Sequence, residues 1–208
     1  MKLFLTSSSI TPEIRQDFLS VYGKNPTESK CYFIPTAADV EQEKFYMCKS
    51  MDDLAEMGFN PIWYTLKYKT KEVIQKELAD ADIIWVGGGN TFYLLDTARK
   101  SGFLEVVDDL VKNKGVAYGG ISAGTILAAK SIQVAEWKPD GDVNEVDVTD
   151  FTALGWIDFI PFVHYEKEDY YDAIQEQKGN ETVFAIPNGG MVIVNGVDIE
   201  SFGGVEKI

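Results

Sequence analysis

Cysteine, histidine and positive charge are all scarce in this chain. Two cysteines in 208 residues, Cys31 and Cys48, are too few for a disulfide framework, and neither has metal-ligand spacing. His164 is the only histidine. One histidine and two separated cysteines cannot easily supply the three or four strong ligands of a zinc site, so no metal and no organic cofactor is expected. Lysine and arginine number 19 against 33 aspartates and glutamates, a formal net charge of -14. That deficit speaks against general nucleic-acid binding and against anionic membrane surfaces. It leaves room for a local basic pocket that takes a small acidic substrate. No apolar run approaches the length of a membrane span. The opening Met1-Lys2-Leu3-Phe4-Leu5-Thr6 is too short for the apolar region of a signal peptide. Internal repeats, linkers and low-complexity tracts are missing as well. What remains is 45% hydrophobic and 25% charged, an ordinary soluble composition. The expectation is one cytoplasmic domain over residues 1–208, with enough length for a substantial core.

Along the chain, short apolar runs alternate with helical patterns. Leu3-Phe4-Leu5, Tyr32-Phe33-Ile34, Ile62-Trp63-Tyr64 and Ile83-Ile84-Trp85-Val86 read as strands. Helical patterns cover residues 40–57, 71–79, 91–100 and 104–114. Thr11-Pro12-Glu13-Ile14 reads as an N-cap with proline at the first helical position, opening a helix towards Tyr22. Strands flanked by helices with short connections imply an α/β fold, a mostly parallel sheet covered on both faces. The near-continuous apolar character of the third and fourth strands agrees with burial on both sides. Cys31 opens an apolar run and reads as core. Residues 136–150 are polar and acidic, an excursion or loop. Near the end, Asn195-Gly196 between two apolar runs signals a two-residue hairpin.

Three features carry possible chemistry. The first is Gly120-Ile121-Ser122-Ala123-Gly124, which follows the apolar run Val116-Ala117-Tyr118 and precedes a helical pattern. This fills G-x-S-x-G in the strand-turn-helix context of a nucleophile elbow, where a strained serine projects from the carboxyl edge of a sheet. An incidental serine in a glycine-rich turn is the plain alternative. The second is Gly87-Gly88-Gly89-Asn90-Thr91, directly after a buried strand. It could cradle phosphate, but it lacks the lysine of a P-loop and the spacing of a dinucleotide site. It could supply one N–H of an oxyanion hole, paired with that of Ala123. It could also be only a tight turn capped by Asn90. The third is His164, after Phe162-Val163. A serine hydroxyl needs a base near neutral pH, and histidine is the usual one. If this is a Ser-His hydrolase, His164 is that base.

The order of these blocks resembles the aspartyl dipeptidases (the peptidase E family) and the related cyanophycinases. The resemblance spans almost the whole chain: Phe33-Ile34-Pro35-Thr36-Ala37, Val86-Gly87-Gly88-Gly89-Asn90-Thr91-Phe92, the serine pentapeptide, and the stretch from Pro161 to His164-Tyr165. It implies a three-layer α/β sandwich like the class I glutamine amidotransferases. It implies Ser122 as nucleophile, His164 as base, and the N–H groups of Gly89 and Ala123 as oxyanion hole, with Gly88 and Asn90 beside the substrate. The implied reaction is serine-type hydrolysis of an amide bond in a small peptide.

Two departures from that family follow. A glutamate in a Pro-Glu-Gly turn is expected as third member, but Pro187-Asn188-Gly189 occupies the place. Asn188 can orient a histidine through its carbonyl oxygen but cannot offer a full negative charge. Asp158, Glu166 and Glu168 are other carboxylates near His164 in sequence. The alternative reading is therefore a catalytically weak binding or regulatory protein. The second departure is specificity. Residues 166–178, where the family places a basic side chain for the substrate aspartate, contain no arginine, and only Lys167 and Lys178 are cationic. A strong preference for N-terminal aspartate is not expected.

Overall fold

The computed structural model describes residues 1–138 and 141–208. The elements in chain order are β1 (Lys2–Thr6), α1 (Arg15–Tyr22), β2 (Cys31–Ile34), α2 (Phe45–Glu56), β3 (Ile62–Trp63), α3 (Lys71–Glu77), β4 (Ile83–Val86), α4 (Thr91–Ser101) and α5 (Phe103–Asn113). After these come β5 (Ala117–Ile121), α6 (Ala123–Ile126), β6 (Ile160–Val163), α7 (Lys167–Gln177), β7 (Val183–Ile186), β8 (Met191–Asn195), β9 (Asp198–Phe202) and β10 (Glu206–Lys207).

A seven-stranded sheet has the order β3-β2-β4-β5-β1-β8-β9. Its first five strands are parallel, and β8 and β9 complete it in antiparallel sense. Alternation along each strand divides the core. Phe4, Phe33 and Trp85 point to one face, against Phe18 and Tyr22 of α1 and Met47 and Leu54 of α2. Leu3, Leu5, Ile34, Ile84 and Val86 point to the other, with Leu94 and Leu95 of α4 and Val107 of α5. Helices on both faces of a mostly parallel sheet give the layered α/β fold that the strand pattern implies. Full burial of a ring such as Trp85, 5.8 Å from Phe18, is worth roughly 1.5–3 kcal/mol. Cys31 lies wholly in this core, and burial raises its thiol to about 12. No helix among the described residues is long and apolar enough to cross a membrane.

A second sheet, β10-β7-β6, packs beside α6, with Phe162, Val163 and Ala185 in the same apolar cluster as Ile126 and Leu127. β6 and β7 run parallel, Val163 opposite Ile186, so the residues that follow them emerge side by side. In the large sheet β4, β5 and β1 are neighbours. The loops leaving their carboxyl ends therefore meet at one edge, where open α/β sheets bind ligands.

Four details depart from the sequence reading. The first helix begins at Arg15 instead of at Pro12, and no side chain caps it. Residues 36–40 form a 3-10 turn and α2 begins only at Phe45, so the predicted helix over 40–57 is shorter at its start. β3 is not doubly buried: it is the sheet's edge, with Ile62 and Trp63 exposed. The hairpin loop is Gly196-Val197, with Asn195 paired to Asp198. Only Gly196 of that loop has positive φ, which suits a turn with glycine in its first central position. The stretch 141–150 is irregular, as expected of an excursion; Pro139 and Asp140 of the same predicted loop lie outside the described residues.

Candidate active site

Ser122 sits between β5 and α6 with φ 51° and ψ -110°, a backbone state that costs on the order of 1–3 kcal/mol. Its surroundings hold it there. The Ser122 N–H donates to Thr6 O at 3.0 Å. The Thr6 hydroxyl donates to Gly120 O at 2.9 Å. The single proton of the Thr125 hydroxyl lies within reach of Thr6 O at 2.7 Å and Gly120 O at 2.8 Å. Tyr118 donates to Gly124 O at 2.6 Å. Buried bonds of this kind contribute roughly 0.5–1.5 kcal/mol each, enough together to offset the strained turn.

The glycines of the pentapeptide are required by contact. A Cβ on Gly124 would stand 2.1 Å from Val86 O, and one on Gly120 would stand 2.7 Å from the Gly124 carbonyl. The turn is thereby pressed against β4, which brings the loop after that strand beside Ser122. In that loop Gly89 has φ 125°, and a Cβ there would collide with the Ala37 carbonyl at 2.4 Å. Gly88 lies so close that its Cβ would stand 3.1 Å from that of Ser122. Among the described residues, the N–H groups of Gly89 and Ala123 donate to no acceptor of the chain. Asn90 is engaged as a cap: its Oδ1 accepts from Tyr93 N at 2.9 Å and its Nδ2 donates to Val143 O at 2.8 Å. Both ends of its amide thus help to hold α4 and the 141–150 loop.

His164 follows β6 with φ 52°. Its Nε2 lies 2.9 Å from Ser122 Oγ and its Nδ1 lies 2.7 Å from Asn188 Oδ1. Asn188 belongs to the turn after β7, closed by Gly190 N–H donating to Pro187 O at 2.8 Å. The parallel pairing of β6 with β7 is what sets these two residues at the same level. An amide oxygen only accepts, so Nδ1 carries the proton in this pairing and Nε2 is left to accept from the serine. Burial lowers the His164 pKa; the Asn188 hydrogen bond and Asp142 work the other way, while Lys138 adds to the lowering.

Several residues here escaped the sequence reading. Ser7, wholly buried after β1, accepts the His164 N–H at 2.6 Å and donates to Asn188 Oδ1 at 3.3 Å. Ser8 accepts from Gly189 N–H at 3.0 Å. A serine run at the carboxyl end of the first strand was the available signal. Lys138 donates to His164 O at 3.2 Å and lies over the rings of Tyr170 and Phe162. The Asp142 carboxylate accepts from Thr91 N–H at 2.7 Å, at the start of α4. The lysines singled out earlier are elsewhere: Lys167 pairs with Glu206 at 3.1 Å, and Lys178 ends α7 outside both clefts. Asp158 pairs with Lys130.

Two clefts flank the Ser122–His164 pair. The larger, about 730 Å³, is lined by Ser7, Ser9, Tyr46, Gly88, Gly89 and Asn188, among others. The smaller, about 310 Å³, has walls of Ile126, Val134 and Phe162, with Lys138, Asp142 and Glu166 at polar positions.

The sequence profile of Peptidase family S51 matches residues 3–202. The chain belongs to peptidase family S51. An uncharacterized peptidase of Pasteurella multocida is 31% identical over 175 residues, covering 84% of this chain and 82% of that one. A peptidase E of Salmonella arizonae is 32% identical over 174 residues, covering 78% and 72%. A crystal structure from Listeria monocytogenes EGD-e, of a protein provisionally named peptidase E, superposes with TM-score 0.83 at 26% identity over 97% of both chains. Membership of S51 makes peptide-bond hydrolysis the activity to test against this geometry, and peptides the substrates.

Proposed function

We propose that this S51 member is a serine-type hydrolase of amide bonds in small peptides, with Ser122 as nucleophile, His164 as base and Asn188 as the residue that orients His164. The reading is carried by one observation: His164 bridges Ser122 Oγ and Asn188 Oδ1 through its two ring nitrogens, at 2.9 and 2.7 Å. Ser122 attacks the substrate carbonyl carbon while its proton passes to Nε2. The oxyanion lies between the N–H groups of Gly89 and Ala123. Gly88, with no side chain beside Ser122, leaves room for the substrate. His164 then protonates the leaving amine, and a water releases the acyl group by the reverse transfer.

Asn188 favours a second reading within the same site, a slow enzyme or one turned to binding. Replacing the triad acid by its amide costs a serine protease about four orders of magnitude. That cost arises from the wrong histidine tautomer, and here the amide oxygen faces Nδ1. A fluorophosphonate probe separates the readings, because it reacts only where base and oxyanion donors are assembled. Intact-protein mass spectrometry is expected to show one adduct, lost in Ser122→Ala. Absence of an adduct under conditions that label a known serine hydrolase would favour binding.

A further inference from the structure

We propose that Ser7 is a positioning residue: its hydroxyl oxygen holds the backbone of His164, so that the end of β1 clamps both strained residues of the site on two consecutive positions. The consequence for catalysis rests on the Ser122–His164 reading above; the clamp itself does not.

Ser122 and His164 share an unusual backbone state. Their φ angles are 51° and 52°, in a range that non-glycine residues rarely enter. Such residues persist only where their surroundings over-determine them. Both give their N–H to the end of β1. Ser122 donates to Thr6 O at 3.0 Å, and His164 donates to Ser7 Oγ at 2.6 Å. The first bond extends the β1–β5 ladder just past the pair of Thr6 with Ile121. The second has no ladder to extend, because β6 is the outer strand of the small sheet. Tyr165 turns its N–H inward, to Ile186 O at 3.1 Å. The His164 N–H leaves the small sheet, and Ser7 supplies the acceptor that a neighbouring strand would have given.

Consecutive Cα atoms lie about 3.8 Å apart, so anchors on Thr6 and Ser7 leave no flexible span between the two held backbones. The His164 ring starts from its held backbone, and Nε2 reaches Ser122 Oγ at 2.9 Å. The other tie on that backbone, from Lys138 to the His164 carbonyl, is longer at 3.2 Å and comes from a partly exposed side chain. Ser7 and Thr6 are both wholly buried. The Ser7 proton has two atoms in reach, His164 Nδ1 at 3.2 Å and Asn188 Oδ1 at 3.3 Å, and its oxygen accepts the backbone N–H whichever way that proton points. The clamp therefore needs the oxygen and no particular tautomer. Without it the N–H faces a dry place unpaired, which is costly, and His164 would relax and carry its ring off Ser122. A misplacement of about 1 Å can cost about 100-fold in rate. Ser7 also lines the larger cleft, so direct contact with substrate is the competing role.

His164 is the only histidine, so 15N at the histidine backbone nitrogen gives one amide signal in the full chain. Wild type is expected to show a slowly exchanging proton there. In Ser7→Ala it should exchange about 10-fold faster or more, while thermal unfolding shows the protein still folded. The value of kcat, or the labelling rate with the fluorophosphonate, should fall about 10- to 100-fold with KM nearly unchanged. Ser7→Thr, which keeps the oxygen, should recover slow exchange and rate together. Should Ser7→Ala fail to fold, Ser7→Cys keeps nearly the same shape with a weak acceptor and is read in the same way. Unchanged exchange in a folded Ser7→Ala protein would overturn the proposal. So would faster exchange with kcat unchanged, and so would an effect confined to KM, which would assign Ser7 to the substrate. If exchange quickens as expected while wild type takes no label, the hydrolase reading fails and the clamp stands.

Discussion

The two sheets contribute to the site in opposite ways. The seven-stranded sheet supplies Ser122 from its middle, on a turn whose backbone groups are tied down by Thr6, Tyr118 and Thr125, all buried. The three-stranded sheet supplies His164 and Asn188 from the open ends of β6 and β7, with Asn188 exposed. One half is fixed by packing that admits no added atom; the other is held by a few side-chain hydrogen bonds. Ser122 is thus rigid by construction, whereas the orientation of His164 depends on a small polar cluster. Ser7 leaves β1 in the large sheet and bonds to both residues of the small one, so it ties the halves together.

The largest effect should come from removing either side chain of the proposed Ser122–His164 pair. Ser122→Ala and His164→Ala are each expected to lower peptide hydrolysis by about six orders of magnitude in kcat, measured with a sensitive fluorogenic peptide. Similar, non-additive losses would show that residues from the two sheets act as one unit. Next, Gly124→Ala should break the rigid half. The added methyl would meet Val86 O, so we expect a loss of about 2–3 kcal/mol or more in urea unfolding, with activity falling alongside. A stable, active variant would mean that the large sheet yields more than its packing implies.

The adaptable half can be improved. Asn188→Asp keeps the shape that places an oxygen 2.7 Å from Nδ1 and adds the charge that stabilises an imidazolium as it forms. Steady-state kinetics should show kcat raised about 10- to 100-fold, less than the full penalty seen for the reverse change in serine proteases because the proton is already on the correct nitrogen. The pH profile is the next smaller test. His164 is depressed by burial, so the acid limb of kcat/KM should fall below the ordinary histidine value of about 6.5. Stability follows with the same sign. As pH drops below about 6.5 the unfolded chain binds a proton that the folded chain refuses, so folding weakens until the folded pKa is passed. Calorimetry across that range should show the decline in wild type and lose this contribution in His164→Ala. The smallest expected effect concerns specificity. Lys138 serves His164 O and two aromatic faces, and Asp142, Glu166 and Asp169 line the same small cleft. An N-terminal aspartate should therefore lead neutral residues by less than about tenfold in kcat/KM across a dipeptide panel. A lead near 100-fold would assign Lys138 to the substrate carboxylate.

Much of the large sheet was legible because its signals are local. Strand runs, glycine stops and the serine pentapeptide all lie within a few residues of what they specify. The exposed β3 was misjudged because an apolar pair reads alike at the edge and the centre of a sheet. The first helix started late because Thr11-Pro12 offers a cap that the chain uses as a plain turn. The cluster around His164 was only half legible. Its histidine and asparagine stand in recognisable turns, but Ser7 is 157 residues from His164 and Lys138 is 26 residues before it. Only the pairing of strands brings such residues together, and no local pattern encodes it.

The span from Ser7 to Asn188 has a further consequence, in time rather than space. During synthesis Ser122 and the turn that strains it leave the ribosome with most of the parallel sheet, well before β7 exists. His164 lacks its Asn188 partner until the turn bearing that residue emerges and β7 pairs with β6. Pairings this distant in sequence are slow to form, and domains generally fold as units. A chain interrupted before residue 188 would therefore lack the oxygen that faces His164 Nδ1, and on the hydrolase reading its capacity to cut peptides would switch on only as the last strands dock.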